Sequence, residues 1–261
     1  MQKEFSRKII KEFNGSKYSG NNFIDDKIPI IKEKEYKIFI NGQKITTVAL
    51  TPVNEIEFIC GFLYTASFID SWEDVINCRV CDNYNFHIYL KNKKKQNISN
   101  FDLSADYSYN TYSGKNYTAE VINSNFSIDA LGILNIYEKI YSKSKIYPLL
   151  SGTHSNIFYR NVHEYAVFED INRYNALDKL IGYKVINTLQ SDGIVFTTGK
   201  ITSGIIFKCI KAKFPVVATI SAVSSMAIEL ASKYNISLVG YVNKDSFIIL
   251  EDKDKRVVDG F

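Results

Sequence analysis

Between Glu35 and Thr47 the side chains alternate, with Tyr36, Ile38 and Ile40 set against Lys37, Phe39 and Asn41. A period of two sends successive residues to opposite faces of an extended chain. Asn41-Gly42 suits the positive φ of a two-residue turn, so the segment predicts a β-hairpin. Thr51-Pro52 then reads as an N-cap followed by proline at the first helical position. Glu55 and Glu57 fall near the positive end of that helix, and Phe58, Ile59, Phe62 and Leu63 form its apolar stripe. Val75 to Val80 and Asn85 to Leu90 read as a second strand pair around Asp82-Asn83, and Lys91 to Asn97 is a charged run suited to a loop. From Asp129 the period lengthens, and Leu131, Leu134, Ile136, Tyr137 and Ile140 share one helical face. After Pro148 strands at 156–160, 164–168, 193–198, 214–220, 236–242 and 246–250 are interleaved with helices at 174–189, 202–213 and 223–234. Such alternation predicts a mostly parallel α/β sheet covered by helices on both faces.

Two stretches lack a period. Residues 1–29 are polar and rich in Lys and Asn, which predicts a loose arm with at most one short helix, and residues 99–125 read as a mobile surface segment. The chain therefore divides into an arm over 1–30, a β-rich lobe over 31–126 and an α/β core over 127–261. With 46% hydrophobic and 14% aromatic residues, the 261-residue chain can bury a continuous core. A net charge of +4 is too small and too dispersed for a phosphate-backbone binder, which argues against nucleic acid as partner. Four unevenly spaced cysteines make no secreted disulfide framework, so a reduced, cytoplasmic protein is expected. The longest apolar runs, such as Phe214 to Ala222, are far short of the ~20 residues that span a bilayer, so no membrane association is expected.

Candidate chemistry gathers where strands give way to helices. Glu169, Asp170, Asn172, Arg173, Asp178 and Lys179 crowd one such junction, where the alternative is helix capping and ion pairing. Thr198-Gly199-Lys200 opens the next helix with small and hydroxyl residues whose amides suit an anion. It is not a nucleoside-triphosphate loop, because Ile194 and Ile201 stand where that motif needs Gly and Ser or Thr. Ser221-Ala222-Val223-Ser224-Ser225 repeats the arrangement, with capping as its simpler role. His154 lies in a small-residue turn. Cys78 and Cys81 form a C-x-x-C without a second pair, and strand alternation would turn them to opposite faces, so no metal site is expected.

Taken in order, Glu35 to Gly42, Thr51-Pro52, Gly61 to Thr65, Ser151-Gly152-Thr153-His154, EDINRYNALDKLIG over 169–182 and IELASKYNISLVGYV over 228–242 resemble the formate dehydrogenase accessory family, FdhD/NarQ. The resemblance implies a three-layer α/β/α mixed sheet with a cytidine-deaminase-like core, a smaller N-terminal hairpin-and-helix lobe, and a homodimer. It implies a sulfur carrier that takes persulfide sulfur from a cysteine desulfurase and passes it to bis-molybdopterin guanine dinucleotide before that cofactor enters formate dehydrogenase. The alternative is an inactive paralogue that binds a GDP-like nucleotide or a partner enzyme as a scaffold.

The family's thiol belongs to a Cys-Gly-x-Cys-Gly loop. The corresponding stretch here, about Tyr107 to Lys115, contains no cysteine, leaving Cys78 and Cys81 as weak substitutes. The family's guanine-dinucleotide segment aligns with Tyr241, Val242, Asn243, Lys244, Asp245 and Ser246, and the cofactor cleft would add His154, Glu169, Asp170, Arg173, Thr198, Gly199 and Lys200. Asn172, Tyr174, Lys200, Gly204, Asn243 and Lys244 depart from the family's usual Gly, His, Arg, Glu, Arg and Gly. Zinc deaminase chemistry is excluded, since His154 is followed by Ser155-Asn156 and no Pro-Cys-x-x-Cys exists.

Overall fold

The computed structural model describes residues 8–81, 83–91, 119–148, 150, 152–190 and 192–259. The alternating segment forms β3 (Lys34–Ile40) and β4 (Gln43–Leu50), turned at Asn41 and Gly42 with φ of 49° and 84°. With β5 (Val75–Cys81) and β6 (Asn85–Leu90) they make a four-stranded sheet of order β4-β3-β6-β5. One face buries Tyr36, Ile38, Ile40, Phe86 and Ile88 against Phe58, Ile59, Phe62 and Leu63 of helix α1 (Glu55–Thr65). Each large side chain so buried contributes about 1.5–3 kcal/mol.

The helix begins later than Thr51-Pro52 suggested. Asn54, in the left-handed region at φ 56°, is its N-cap, because Thr51 is held elsewhere. The Thr51 N–H donates to Asp170 Oδ2 at 3.0 Å, and its Oγ1 accepts from Ile171 N at 3.2 Å.

The second sheet has order β13-β12-β11-β10-β8-β9, from β8 (His154–Tyr159), β9 (Tyr165–Asp170), β10 (Ile194–Thr197), β11 (Val216–Thr219), β12 (Ser237–Gly240) and β13 (Ile248–Glu251). Helix α2 (Ala130–Lys143) lays Ile133, Ile136 and Ile140 on one face, over Ile157, Phe196, Val216 and Val239. Helices α3 (Arg173–Ile186), α4 (Ser203–Lys211) and α5 (Ser225–Tyr234) cover the other, over Phe158, Val195, Val217 and Leu238. The result is a three-layer α/β/α arrangement on a mixed sheet.

The expectation of a mostly parallel sheet is corrected: β10, β11 and β12 run parallel, whereas β8, β9 and β13 run antiparallel to their neighbours. Short connections enforce this, since the Arg160–Glu164 turn and the loop after Tyr241 are far too short for a parallel crossover.

The two sheets are joined helix to helix. α1 crosses α3 at Gly61 and Gly182, so closely that a Cβ on Gly61 would sit 1.8 Å from the Asp178 carbonyl oxygen, and one on Gly182 1.7 Å from that of Glu57. Only glycine permits that approach.

Two further expectations are corrected. The arm expected to be loose folds instead into β1 (Ile10–Ser19) and β2 (Asn22–Ile31), antiparallel along their full length, because Gly20 and Asn21 take φ of 56° and 65° in a tight turn. Of the segment expected to be mobile, residues 99–118 lie outside the described residues. Residues 119–125 are held: Ile122 N donates to the Tyr234 carbonyl at 3.0 Å, and the Ile122 carbonyl accepts from Asn235 Nδ2 at 2.9 Å and Arg256 Nη2 at 3.2 Å. The short strands β7 (Ile128–Asp129) and β14 (Val257–Val258) pair in parallel beside it.

Candidate functional site

Three parallel strands end at Thr197, Thr219 and Gly240, and the loops that follow are stitched into one rim. Thr219 Oγ1 donates to the Gly199 carbonyl at 2.7 Å, Ile201 N to Ala222 O at 3.0 Å, Tyr241 N to Ser221 O at 3.3 Å and Val242 N to Thr219 O at 3.0 Å. The antiparallel start of β8 joins the same end, since Ser155 N donates to Thr198 Oγ1 at 2.9 Å and Thr198 N to Ser155 O at 3.0 Å. His154 and Arg173 close on Gly199 so tightly that a Cβ there would lie 3.2 Å from His154 Nδ1 and 3.0 Å from Arg173 Cβ. The three sequence junctions thus meet at the strand ends, where α/β folds place ligands.

The rim offers donors. Arg173 stacks over the Tyr174 ring at 4.5 Å and donates through Nη2 to Tyr174 Oη at 3.1 Å, while its Nε finds no acceptor among the described residues. Asn156 lies two residues along β8 from His154, on the same face. It is 1% exposed, and its Nδ2 likewise has no acceptor among the described residues. Burial, reinforced by the Arg173 charge and opposed by Asp170, holds the His154 imidazole below its ordinary range, so it is neutral at pH 7. Donors without acceptors suit a group that only accepts, such as a phosphate oxygen.

Lys200 and Lys244 are exposed on the rim. Tyr241 takes φ 55°, Val242 is buried, and Asn243 Oδ1 accepts from Asp245 N at 2.9 Å and Ser246 N at 3.0 Å, folding 241–246 into a tight polar turn.

Two residues of the expected cleft are occupied in the protein itself. The Glu169 carboxylate accepts from the backbone amides of Lys145, Ile146 and Tyr147 at 2.7–3.1 Å. Asp170 Oδ2 pairs with Lys179 Nζ at 2.6 Å with both side chains buried, and Oδ1 accepts from Asn172 N at 2.9 Å. Lys179 also donates to the carbonyls of Thr51 and Glu169, and Asn175 Nδ2 to that of Ala49 at 2.8 Å. A second buried pair joins Asp178 to Lys208 Nζ at 2.7 Å, with Thr65 Oγ1 donating to Asp178 at 2.9 Å. Asp170, Asp178 and Lys179 therefore fasten the first lobe to α3, and Glu169 holds the 145–147 turn, which is the capping and pairing alternative. Asn172 is the N-cap of α3, accepting from Tyr174 N at 2.8 Å, and Ser224 caps α5. Lys208 escaped the sequence reading. Its signal was a charge among the apolar residues of α4.

Cys78 and Cys81 do face opposite ways. Cys78 pairs with Ile88 on the buried face of the four-stranded sheet, where burial pushes its thiol up to about 11, and Cys81 is exposed on the other face. Cys60 and Cys209 are buried. Burial raises both thiols, that of Cys209 to about 12. The segment 107–115 lies outside the described residues. Among the described residues no three His, Cys, Asp or Glu side chains converge as metal ligands, and no helix is long and apolar enough to cross a membrane. A cleft of about 280 Å³ lies away from the rim, at the outer edge of β9 between Glu57, Lys143, Lys145 and Tyr183. Of the rim residues it touches only Glu169, whose carboxylate is already taken.

Residues 31–257, which include every rim residue, match the FdhD/NarQ family. The chain belongs to that family. Sulfur carrier protein FdhD of Sulfolobus acidocaldarius is 29% identical over 245 residues, covering 92% of this chain and 93% of the relative. Its namesake from Staphylococcus aureus is 26% identical over 246 residues, covering 88% and 89%. A crystal structure described as a candidate formate dehydrogenase accessory protein, from Desulfotalea psychrophila, superposes with a TM-score of 0.78 at 19% identity, over 96% of this chain and all of that one. That likeness bears on the fold of this FdhD/NarQ member, and it agrees with the layered mixed sheet described above.

Proposed function

We propose that the protein is an accessory factor for formate dehydrogenase maturation, acting in the cytoplasm as a homodimer on the sulfur-delivery branch that its FdhD relatives are named for. The observation that carries this reading is the convergence of His154, Asn156, Arg173, the 198–200 turn and the 241–246 turn on one donor-rich rim. The ligand is a bis-molybdopterin guanine dinucleotide or a GDP-like part of it. Arg173, Asn156 and the amides opening α4 serve its phosphates, with Lys200 and Lys244 adding charge at the mouth. Calorimetry with GDP tests the rim: binding that weakens about tenfold or more in Arg173→Gln is expected, corresponding to the 1.5–3 kcal/mol of a charge-assisted hydrogen bond. Absence of heat at millimolar GDP would leave a partner-binding scaffold.

The sulfur step is a separate matter. A desulfurase persulfide passes its outer sulfur to an attacking thiolate and leaves as a thiolate itself, so the acceptor must be exposed and ionisable. Cys60 and Cys209 are buried, and Cys78 is half-buried with its thiol raised by desolvation, which leaves Cys81 as the exposed thiol among the four. Incubation with a cysteine desulfurase and radiolabelled cysteine is expected to leave the protein without stoichiometric persulfide. Full labelling that disappears in Cys81→Ser would show a relocated carrier thiol instead.

A further inference from the structure

The ribbon of β1 and β2 has ten residues in each strand, yet neither strand pairs with either large sheet. Its base is tied down by the Lys32 N–H to the Ile9 carbonyl at 2.7 Å and by an ion pair from Lys8 to Glu55 at 3.3 Å. Beyond that base it carries unusually apolar side chains into solvent: Phe23 is 76% exposed, Ile24 55% and Phe13 49%. The register puts Phe13 opposite Ile28, Lys17 opposite Ile24 and Lys11 opposite Ile30, so Phe13, Ile24, Ile28 and Ile30 share one face, edged by Lys11, Lys17 and Asp26. Tyr18 and Phe23 meet at the tip of the other face, with ring centroids 5.2 Å apart. A two-stranded ribbon alone in water is marginal at best, and an apolar face on one calls for a covering surface.

We infer that this ribbon is an exchange arm, which lies by its apolar face on a second copy of the same chain. Charge and area both favour that occupant. From Ile10 to Ile31 the ribbon holds three lysines (Lys11, Lys17, Lys27) against Glu12, Asp25 and Asp26, so it is neutral and meets no repulsion from a copy of net charge +4. Ten residues at about 3.4 Å each, over a width of roughly 10 Å, give a face of about 340 Å². Two ribbons stacked on each other would bury only about 700 Å² in total, below the range of stable interfaces. Two arms each laid on the partner's body bury about 1,400 Å², within that range. Pro29, which lacks an N–H, weakens edge pairing along β2 and favours docking by the face.

The inference deepens the homodimer reading above. Light scattering on the full-length protein, from micromolar to millimolar concentration, tests it with the paired substitution Phe13→Asp and Ile24→Asp. These side chains lie outside the buried cores, so far-UV circular dichroism should stay close to wild type. The expected result is a wild-type dimer and a monomeric double variant. Hydrogen exchange supplies a second readout, with amides of 10–31 better protected as wild-type concentration rises and no such dependence in the variant. A wild-type monomer throughout would end both the homodimer and the arm. A dimer indifferent to the arm substitutions, but dissociated by Ile248→Asp with Ile249→Asp on the edge strand β13, would end the arm alone.

Discussion

Among single residues, His154 links the rim to the stability of the fold. Burial first, and then the neighbouring Arg173 charge, lower its pKa below the ordinary 6.5, although Asp170 pulls the other way. Between the folded value and 6.5 the unfolded chain therefore binds more protons than the folded one, and stability falls as pH drops through that window. Urea midpoints of wild type and His154→Gln, compared at about pH 7.5 and about pH 5.5, should show wild type losing ground to the variant on acidification. An equal loss in both proteins would mean that the ring is solvated and titrates normally. Gly199 serves the same convergence, since a Cβ there would lie 3.0 Å from Arg173 Cβ and 3.2 Å from His154 Nδ1 and would press both side chains apart.

At the scale of elements, the crossing of α1 and α3 makes the closest backbone approaches of any described glycine. In Gly182→Ala the new methyl would meet the Glu57 carbonyl 1.7 Å away, and backbone cannot step aside as a side chain can. The helices must separate, at a cost on the order of 3 kcal/mol, which corresponds to a fall in Tm of roughly 6–12 °C. Scanning calorimetry of Gly182→Ala checks this, and a fall of less than a degree or two would show that the crossing is looser than it looks.

Much of this scale was legible in the sequence. The Asn41-Gly42 hairpin, the Val75 and Asn85 strand pair and the alternation after Pro148 each appear at nearly their expected bounds, because one buried face imprints its period on the chain. The ribbon at 10–31 was not legible for the complementary reason. With both faces largely open in the single chain, apolar residues such as Phe13, Tyr18, Phe23 and Ile24 fall on both sides and leave no clean period of two. The site was half legible. The strand-end junctions could be read from small residues before helices, but the engagement of Glu169 and Asp170 by backbone amides and Lys179 depends on segments distant in sequence, such as Thr51 and Lys145.

For the whole molecule, the question is whether the first lobe and the α/β core unfold as one body. The Asp170–Lys179 and Asp178–Lys208 pairs both sit at the joint between them, fully buried and reaching Thr51 and Thr65 of the first lobe. Buried ion pairs are weak sources of net stability, but losing one partner strands a charge, and Lys208→Met should therefore cost about 3–5 kcal/mol. Removing both charges in Asp178→Leu with Lys208→Met should recover most of that loss. The single tryptophan, Trp72, packs against the first lobe's core, so its fluorescence reports that lobe while far-UV circular dichroism reports the helices of both. Urea transitions followed by the two signals should coincide in wild type, because the glycine crossing and the two pairs leave neither part a surface it can expose alone. They should still coincide in Lys208→Met, at a lower midpoint. A Trp72 transition that precedes the loss of helical signal in wild type would mean that the lobe opens by itself, and that the buried charges orient the joint without making it cooperative.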